Sequence, residues 1–221
     1  PFIVMPSAMV ALIGERKMLL SAPVPRARRS RSKPNPLPAA TSSDSVAVRL
    51  RGREVSRDAS DILVEIENLS RAGVREVTLV GQNVNSYGTK GGDTSFPELI
   101  RMCAGIEGIE RIRFMTSHPK DISDELIGLF ATETKLCKHI HLPVQSGSDS
   151  ILKAMKRNYT IAEYLLCVER LKTACPDIAV TTDIIVGFPG ETDFDFEQTM
   201  GLINGARFDN VFSFTYSPMP G

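Results

Sequence analysis

The chain has 221 residues, enough for one domain plus an extension, and its 42% hydrophobic and 24% charged content is that of an ordinary globular protein. A formal net charge of zero hides a split, since residues 1–57 hold 11 of the 26 Lys/Arg but only 3 of the 26 Asp/Glu. Two classes are excluded: the apolar stretch from Phe2 to Ile13 is too short to span a bilayer, and Cys103, Cys137, Cys167 and Cys175 contain no C-x-x-C, so composition offers no zinc or iron site.

Residues 1–50 show no sustained periodicity, and Pro23 to Pro38 is loaded with Pro, Arg and Ser, the pattern of an irregular basic extension. No aromatic residue interleaves with its arginines, as a base-stacking platform requires. Regularity begins at Arg51. Ile62, Ile66 and Leu69 form a helical stripe over 58–72, with Gly73 ending it. Glu76–Val80 reads as a strand, 96–103 as a helix, and 111–115 as a second strand. Ser123 caps a helix to Phe130, and 139–142 is a third strand. Helices follow from Ser148 and from Thr160 to Ala174, then a strongly apolar strand over 179–186. A helix over 192–204 and a strand over 211–216 close the series. Alternation of this kind predicts parallel strands with right-handed crossovers. About five strands fall short of an eight-fold barrel, so the expected architecture is a partial, open (β/α) barrel with one more strand upstream of Arg51.

Function in such folds collects where strands end. Polar clusters stand at each such end: 81–88, 116–121, 143–148, 187–192 and 216–218. Gln82 and Gln145 are expected to emerge from adjacent strands and line one mouth, where amides that both donate and accept suit a zwitterionic or ribosyl ligand. Asp183, inside an apolar strand, requires a partner or a polar cavity. His118 and His141 read equally as structural histidines. No Walker loop, Ser–His–Asp order or paired carboxylates stand out.

At these strand ends the sequence resembles a known family. The segments 51–57 (Arg-Gly-Arg-Glu-Val-Ser-Arg), 78–87, 116–121, 139–148 and 183–192 are similar, in that order, to the MiaB-type tRNA methylthiotransferases of the radical S-adenosylmethionine class, and 216–221 resembles the end of their core, with Met219 where Arg is usual. The resemblance implies a core over 51–221 of the radical S-adenosylmethionine type. It implies S-adenosylmethionine and 4Fe–4S clusters as cofactors, the anticodon stem-loop of tRNA as substrate, flavodoxin or ferredoxin as electron donor, and a cytoplasmic setting without membrane contact. The implied reaction is methylthiolation at C2 of isopentenyladenosine, and a sister family acting on a ribosomal protein is the nearest alternative. Carried onto the strand ends, it makes Gln82, Asn83, Ser117, His118, Gln145, Ser146, Asp183 and Gly187 the expected cofactor seat. Arg51, Arg53, Arg57 and Lys120 become candidates for phosphate contact, the usual task of Arg and Lys.

The departures are as specific. Counting back from Arg51, the family's three cluster cysteines would fall at Pro38, Ser42 and Ser45, and neither proline nor a weakly acidic hydroxyl replaces a thiolate. Residues 39–50 do not resemble the family, which suggests unrelated or out-of-frame sequence joined to a genuine core. Three readings follow: a methylthiotransferase core inactive as it stands, a non-catalytic module that binds S-adenosylmethionine or tRNA, and an unrelated barrel enzyme using Lys120 as a Schiff base or acid–base group.

Overall fold

The computed structural model describes residues 56–218, apart from 82, 89–93 and 116, together with the backbone of 9–12. Elements run β1 (Met9–Leu12), α1 (Ala59–Arg71), β2 (Glu76–Val80), α2 (Phe96–Ala104), β3 (Arg111–Phe114), α3 (Asp124–Thr132), β4 (His139–His141), α4 (Asp149–Ala154), α5 (Ile161–Ala174), β5 (Ala179–Val186), α6 (Asp193–Ala206) and β6 (Asn210–Thr215). Each predicted helix and strand from Asp58 onward is present, with ends within about two residues, the usual disagreement between patterning and hydrogen bonds.

β2 and β3 pair in parallel, as do β4–β5 and β5–β6. A parallel bridge between Ile112 of β3 and Leu136, three residues before β4, lays the chain entering the second sheet beside the first, and among the described residues the five parallel strands fall into two sheets that do not close. The strand expected upstream is β1, but it runs antiparallel on β2, with Met9 opposite Val80 and Leu12 opposite Val77. Pairing needs only backbone groups, so β1 can cover the β2 edge without the crossover that parallel pairing demands. The two-glutamine geometry is corrected too. β2 neighbours β1 and β3, whereas β4 neighbours β5, so the strands that precede Gln82 and Gln145 in sequence are not adjacent.

Alternation decides which side of each strand meets the helices. Val77, Leu79, Ile112, Phe114, Ile140, Val180 and Ile184 are buried in one core with Ile62, Ile66, Leu99, Ile100, Leu126, Phe130, Val168 and Leu171 from the helices. The opposite face carries Glu76, Thr78, Arg113, His139, His141, Thr181 and Asp183, and most of these are only half-buried. The barrel interior is therefore polar, and it is the side on which a ligand can lie.

Local chemistry sets the helix ends. The side chains of Ser95, Ser123, Thr160 and Thr192 accept from backbone N–H groups in the first turns of α2, α3, α5 and α6, and the last two form capping boxes with Glu163 and Asp195. Two lysines close helix C-termini from elsewhere. Lys135 Nζ donates to Ala104 O at 2.6 Å, and Lys172 Nζ donates to Ala206 O at 2.9 Å, each meeting exposed carbonyls and the negative end of the helix dipole.

Candidate functional site

The carboxyl ends of β2 and β3 open into loops that touch one another. Asn83 Nδ2 donates to Asp121 Oδ2 at 2.5 Å, and Tyr87 OH donates to Arg57 O at 2.7 Å, tying the loop after β2 to the chain entering α1. Around this junction lie buried polar atoms with no hydrogen-bond partner: Ser117 Oγ, Asn83 Oδ1, Thr78 Oγ1, and both amide atoms of Asn85. Ser117 is 6% and Asn85 8% exposed. An orphaned buried donor or acceptor costs about 1–3 kcal/mol, so a cluster of them at a strand mouth calls for completion by water or by a polar ligand.

The loop after β4 is shaped differently. Gln145 is 8% exposed and sits at φ 73°, a left-handed conformation that costs a non-glycine residue roughly 1–2 kcal/mol. Its backbone is locked to β5, its N–H donating to Asp183 O at 2.9 Å and its carbonyl accepting from Ile185 N at 2.8 Å. Strain held this firmly is typical of residues aimed at a ligand. Ser146 is fully buried. Its Oγ accepts from Ser148 N at 3.1 Å and lies 3.4 Å from Thr199 Oγ1, so this hydroxyl serves the packing of α6. Gly187, just past β5, takes φ 77° with open space where a Cβ would be, and its N–H donates to Glu191.

His118 caps a short 3-10 turn over Pro119–Asp121, accepting from Lys120 N at 3.4 Å, and its ring meets Tyr159 edge-on at 5.4 Å. Burial pushes its pKa below the ordinary histidine value, with Asp121 opposing. Asp183 has the partner its strand position required, since His141 Nε2 lies 3.4 Å from Oδ2. At the amino ends of β2 and β3, Glu76 accepts from Arg111 Nε at 2.5 Å and from Arg113 Nε at 3.0 Å. The bond from Arg111, followed by that from Arg113, holds this carboxyl below its usual range against some opposing burial.

Of the expected seat, Asn83 and His118 both approach Asp121 in the loops after β2 and β3, where Ser117 also lies, and Gln145 bonds to the Asp183 backbone, while Gly187 follows the end of β5. Gln82, Arg51 and Arg53 lie outside the described residues. Arg57 is held by Glu65 at 2.8 Å. Residue-by-residue reading missed Asn85, Thr78 and the His139–Thr181 pair. The period-2 alternation of β4 and β5 carried the signal for that pair, putting polar residues on one side of otherwise apolar strands.

The radical SAM superfamily model matches residues 32–203. The chain belongs to the radical SAM superfamily. The match begins upstream of Arg51, earlier than the motifs do. The chain is 58% identical over 177 residues to the tRNA-2-methylthio-N(6)-dimethylallyladenosine synthase of Syntrophotalea carbinolica, covering 80% of this chain and 40% of that protein. It is 59% identical over 170 residues to the protein of the same name from Myxococcus xanthus, covering 77% and 36%. It thus spans about two fifths of the length of these curated relatives. Among solved structures, coproporphyrinogen III oxidase (HemN) from Escherichia coli, described as a radical SAM enzyme, superposes with a TM-score of 0.51 at 17% identity, over 73% of this chain and 38% of that one, and shares the fold.

The superfamily's cofactors are S-adenosylmethionine and a 4Fe–4S cluster. The described residues do not fit the cluster. No group of three His, Cys, Asp or Glu side chains gathers among them. Cys103, Cys167 and Cys175 are buried, and burial pushes the Cys103 thiol up to about 12 and that of Cys167 up to about 11, so neither offers the thiolate that iron requires. Positions 38, 42 and 45 lie outside the described residues. S-Adenosylmethionine is a different matter. Its ammonium, carboxylate and ribose hydroxyls match the orphaned amide and hydroxyl atoms of Asn83, Asn85 and Ser117.

Proposed function

We propose that residues 51–221 are the S-adenosylmethionine-binding core of a tRNA methylthiotransferase acting at C2 of an isopentenylated adenosine beside the anticodon. The observation that carries this reading is the orphaned polar cluster of Ser117, Asn83 and Asn85, lying inside a segment 58–59% identical to proteins named for that reaction. S-Adenosylmethionine, when bound, supplies the radical and the methyl group. The chain's residues hold and orient it. Ser117 and the two asparagines meet its polar groups at one mouth, while Gln145 and Asp183 face it from the other sheet. Arg57 and Lys120 stand beside that opening and suit the tRNA backbone. Among the described residues no helix is long and apolar enough to cross a membrane, and a tRNA substrate implies the cytoplasm. An external one-electron donor such as flavodoxin or ferredoxin completes the reading for the intact family.

With Pro38, Ser42 and Ser45 in place of cysteines, this chain binds the cofactor without turning it over. Anaerobic treatment with iron and sulfide, followed by equilibrium dialysis against labelled S-adenosylmethionine, tests both halves. No 4Fe–4S absorbance and saturable retention of the label are expected. A stable cluster shows that other ligands replace the cysteines, and absence of retention sinks the cofactor seat.

A further inference from the structure

Strand alternation puts His139 and His141 on the interior face of β4, and the register sets His141 opposite Thr181 of β5. Thr181 Oγ1 lies 3.2 Å from His139 Nε2 and 3.0 Å from His141 Nδ1. His141 Nε2 in turn lies 3.4 Å from Asp183 Oδ2, the longest link of the three. Asp183 is in register with Phe212 of β6, whose ring meets His141 edge-on at 6.2 Å.

One assignment of protons gives this row a single direction. A carboxylate only accepts, so the His141 tautomer that turns a donor toward Asp183 across that 3.4 Å contact carries its proton on Nε2. A neutral imidazole protonated there has a lone pair on Nδ1, which accepts. Thr181 has one hydroxyl proton and gives it to that nitrogen. The Thr181 oxygen then accepts from Nε2–H of His139. Each bond points toward Asp183. Burial keeps His139 below the ordinary histidine value, with Arg113 and His141 acting the same way and Asp209 against, so it enters the row as a neutral donor at neutral pH.

We propose that His139, Thr181 and His141 are positioning residues. They form a one-way relay of two hydrogen bonds that sets the His141 ring against Asp183 Oδ2 at 3.4 Å, orienting the carboxylate and leaving Oδ1 as the acceptor for an N–H donor of the ligand in the barrel interior. Among the described residues Asp183 has no other side-chain partner. The relay stands on its own geometry, while its use toward a ligand rests on the S-adenosylmethionine seat proposed above.

The chain has three histidines, so nitrogen-15 NMR of the unliganded protein at neutral pH reads each tautomer directly. His139 and His141 are expected as Nε2–H forms. Thr181→Ser retains both, whereas Thr181→Val and Asp183→Asn each convert His141 to a mixture. His141 found as Nδ1–H or as imidazolium in the unaltered chain, or an unaltered His141 spectrum in Thr181→Val, overturns the relay. With S-adenosylmethionine as the probe, Thr181→Val should bind about two- to tenfold more weakly, the worth of one net hydrogen bond, and Thr181→Ser should bind like the unaltered chain. Equal affinity of Thr181→Val overturns the orienting role. Failure of the unaltered chain to bind the probe overturns the cofactor seat instead, and the tautomers still decide the relay. Should Thr181→Val not fold, the unaltered chain's tautomers and the Thr181→Ser comparison decide it alone.

Discussion

Single residues at the two mouths answer to different constraints. Ser117 Oγ is buried without a protein partner, so the chain itself leaves its desolvation uncompensated. Ser117→Ala should therefore raise the stability of the unliganded chain by about 1 kcal/mol and weaken S-adenosylmethionine retention, as chemical denaturation and dialysis will show. A variant that is destabilised, or that binds unchanged, removes Ser117 from the seat. Gly147 behaves as a packing residue. A Cβ there would stand 2.4 Å from Thr199 Cα and 2.7 Å from Gln198 O, both backbone atoms of α6 that cannot swing aside. Gly147→Ala should cost about 1–3 kcal/mol or more by forcing α6 off the β4 loop, measurable as a lowered denaturation midpoint. Glycine at 147 reads in the sequence as turn chemistry, and only the approach of α6 shows that the constraint is space.

At the scale of elements, α4 and α6 are joined through one carboxylate. Asp195 accepts from Ser148 Oγ at 2.5 Å, Ser150 Oγ at 2.7 Å, Thr192 Oγ1 at 2.6 Å and Thr192 N at 3.0 Å. These bonds, that from Ser148 foremost, hold its pKa far below the ordinary aspartate value. A depressed folded-state pKa contributes stability that is complete above the unfolded value, about 3.9, and is lost as pH falls toward the folded one. Asp195→Asn cannot accept from Thr192 N through its amide nitrogen while serving the serines, so it should melt several degrees lower at neutral pH. The gap should narrow below about pH 4, and melting curves across that range check it; a gap independent of pH assigns the loss to packing alone. The capping half of this network was legible in the sequence, because Thr192 followed by Asp195 is a local pattern. The serine half was not, since Ser148 and Asp195 meet only after the crossover through β5. The same limit explains the rest. Helix stripes, caps and strand alternation depend on neighbours in sequence, so the elements from Asp58 to Thr215 could be read. The antiparallel β1 and the separation of the two glutamine loops depend on strand order, which periodicity does not encode.

For the whole molecule, the acidic balance of the chain after residue 57 sets the terms on which a polyanion is met. Long-range attraction is weak there, so tRNA must be held by cations at the open mouth. Arg57 enters α1 beside the loop after β2, and Lys120 stands on the turn after β3, both at the carboxyl ends of the strands. Arg75 precedes β2 at the opposite end and pairs with Glu110 at 3.6 Å, which makes it a control. If the mouth faces the anticodon stem-loop, each phosphate contact releases counterions, and removing one should flatten the dependence of log affinity on log salt by roughly 0.7–0.9. Arg57→Gln and Lys120→Gln should each do so in filter-retention titrations of a stem-loop RNA at several salt concentrations. Lys120→Gln should show the larger loss, because Arg57 already spends part of its charge on Glu65. Arg75→Gln should leave the slope unchanged. Parallel slopes for all three would place the RNA on some other face, whereas a drop for Arg75 alone would put it at the amino ends of the strands, away from the cofactor seat.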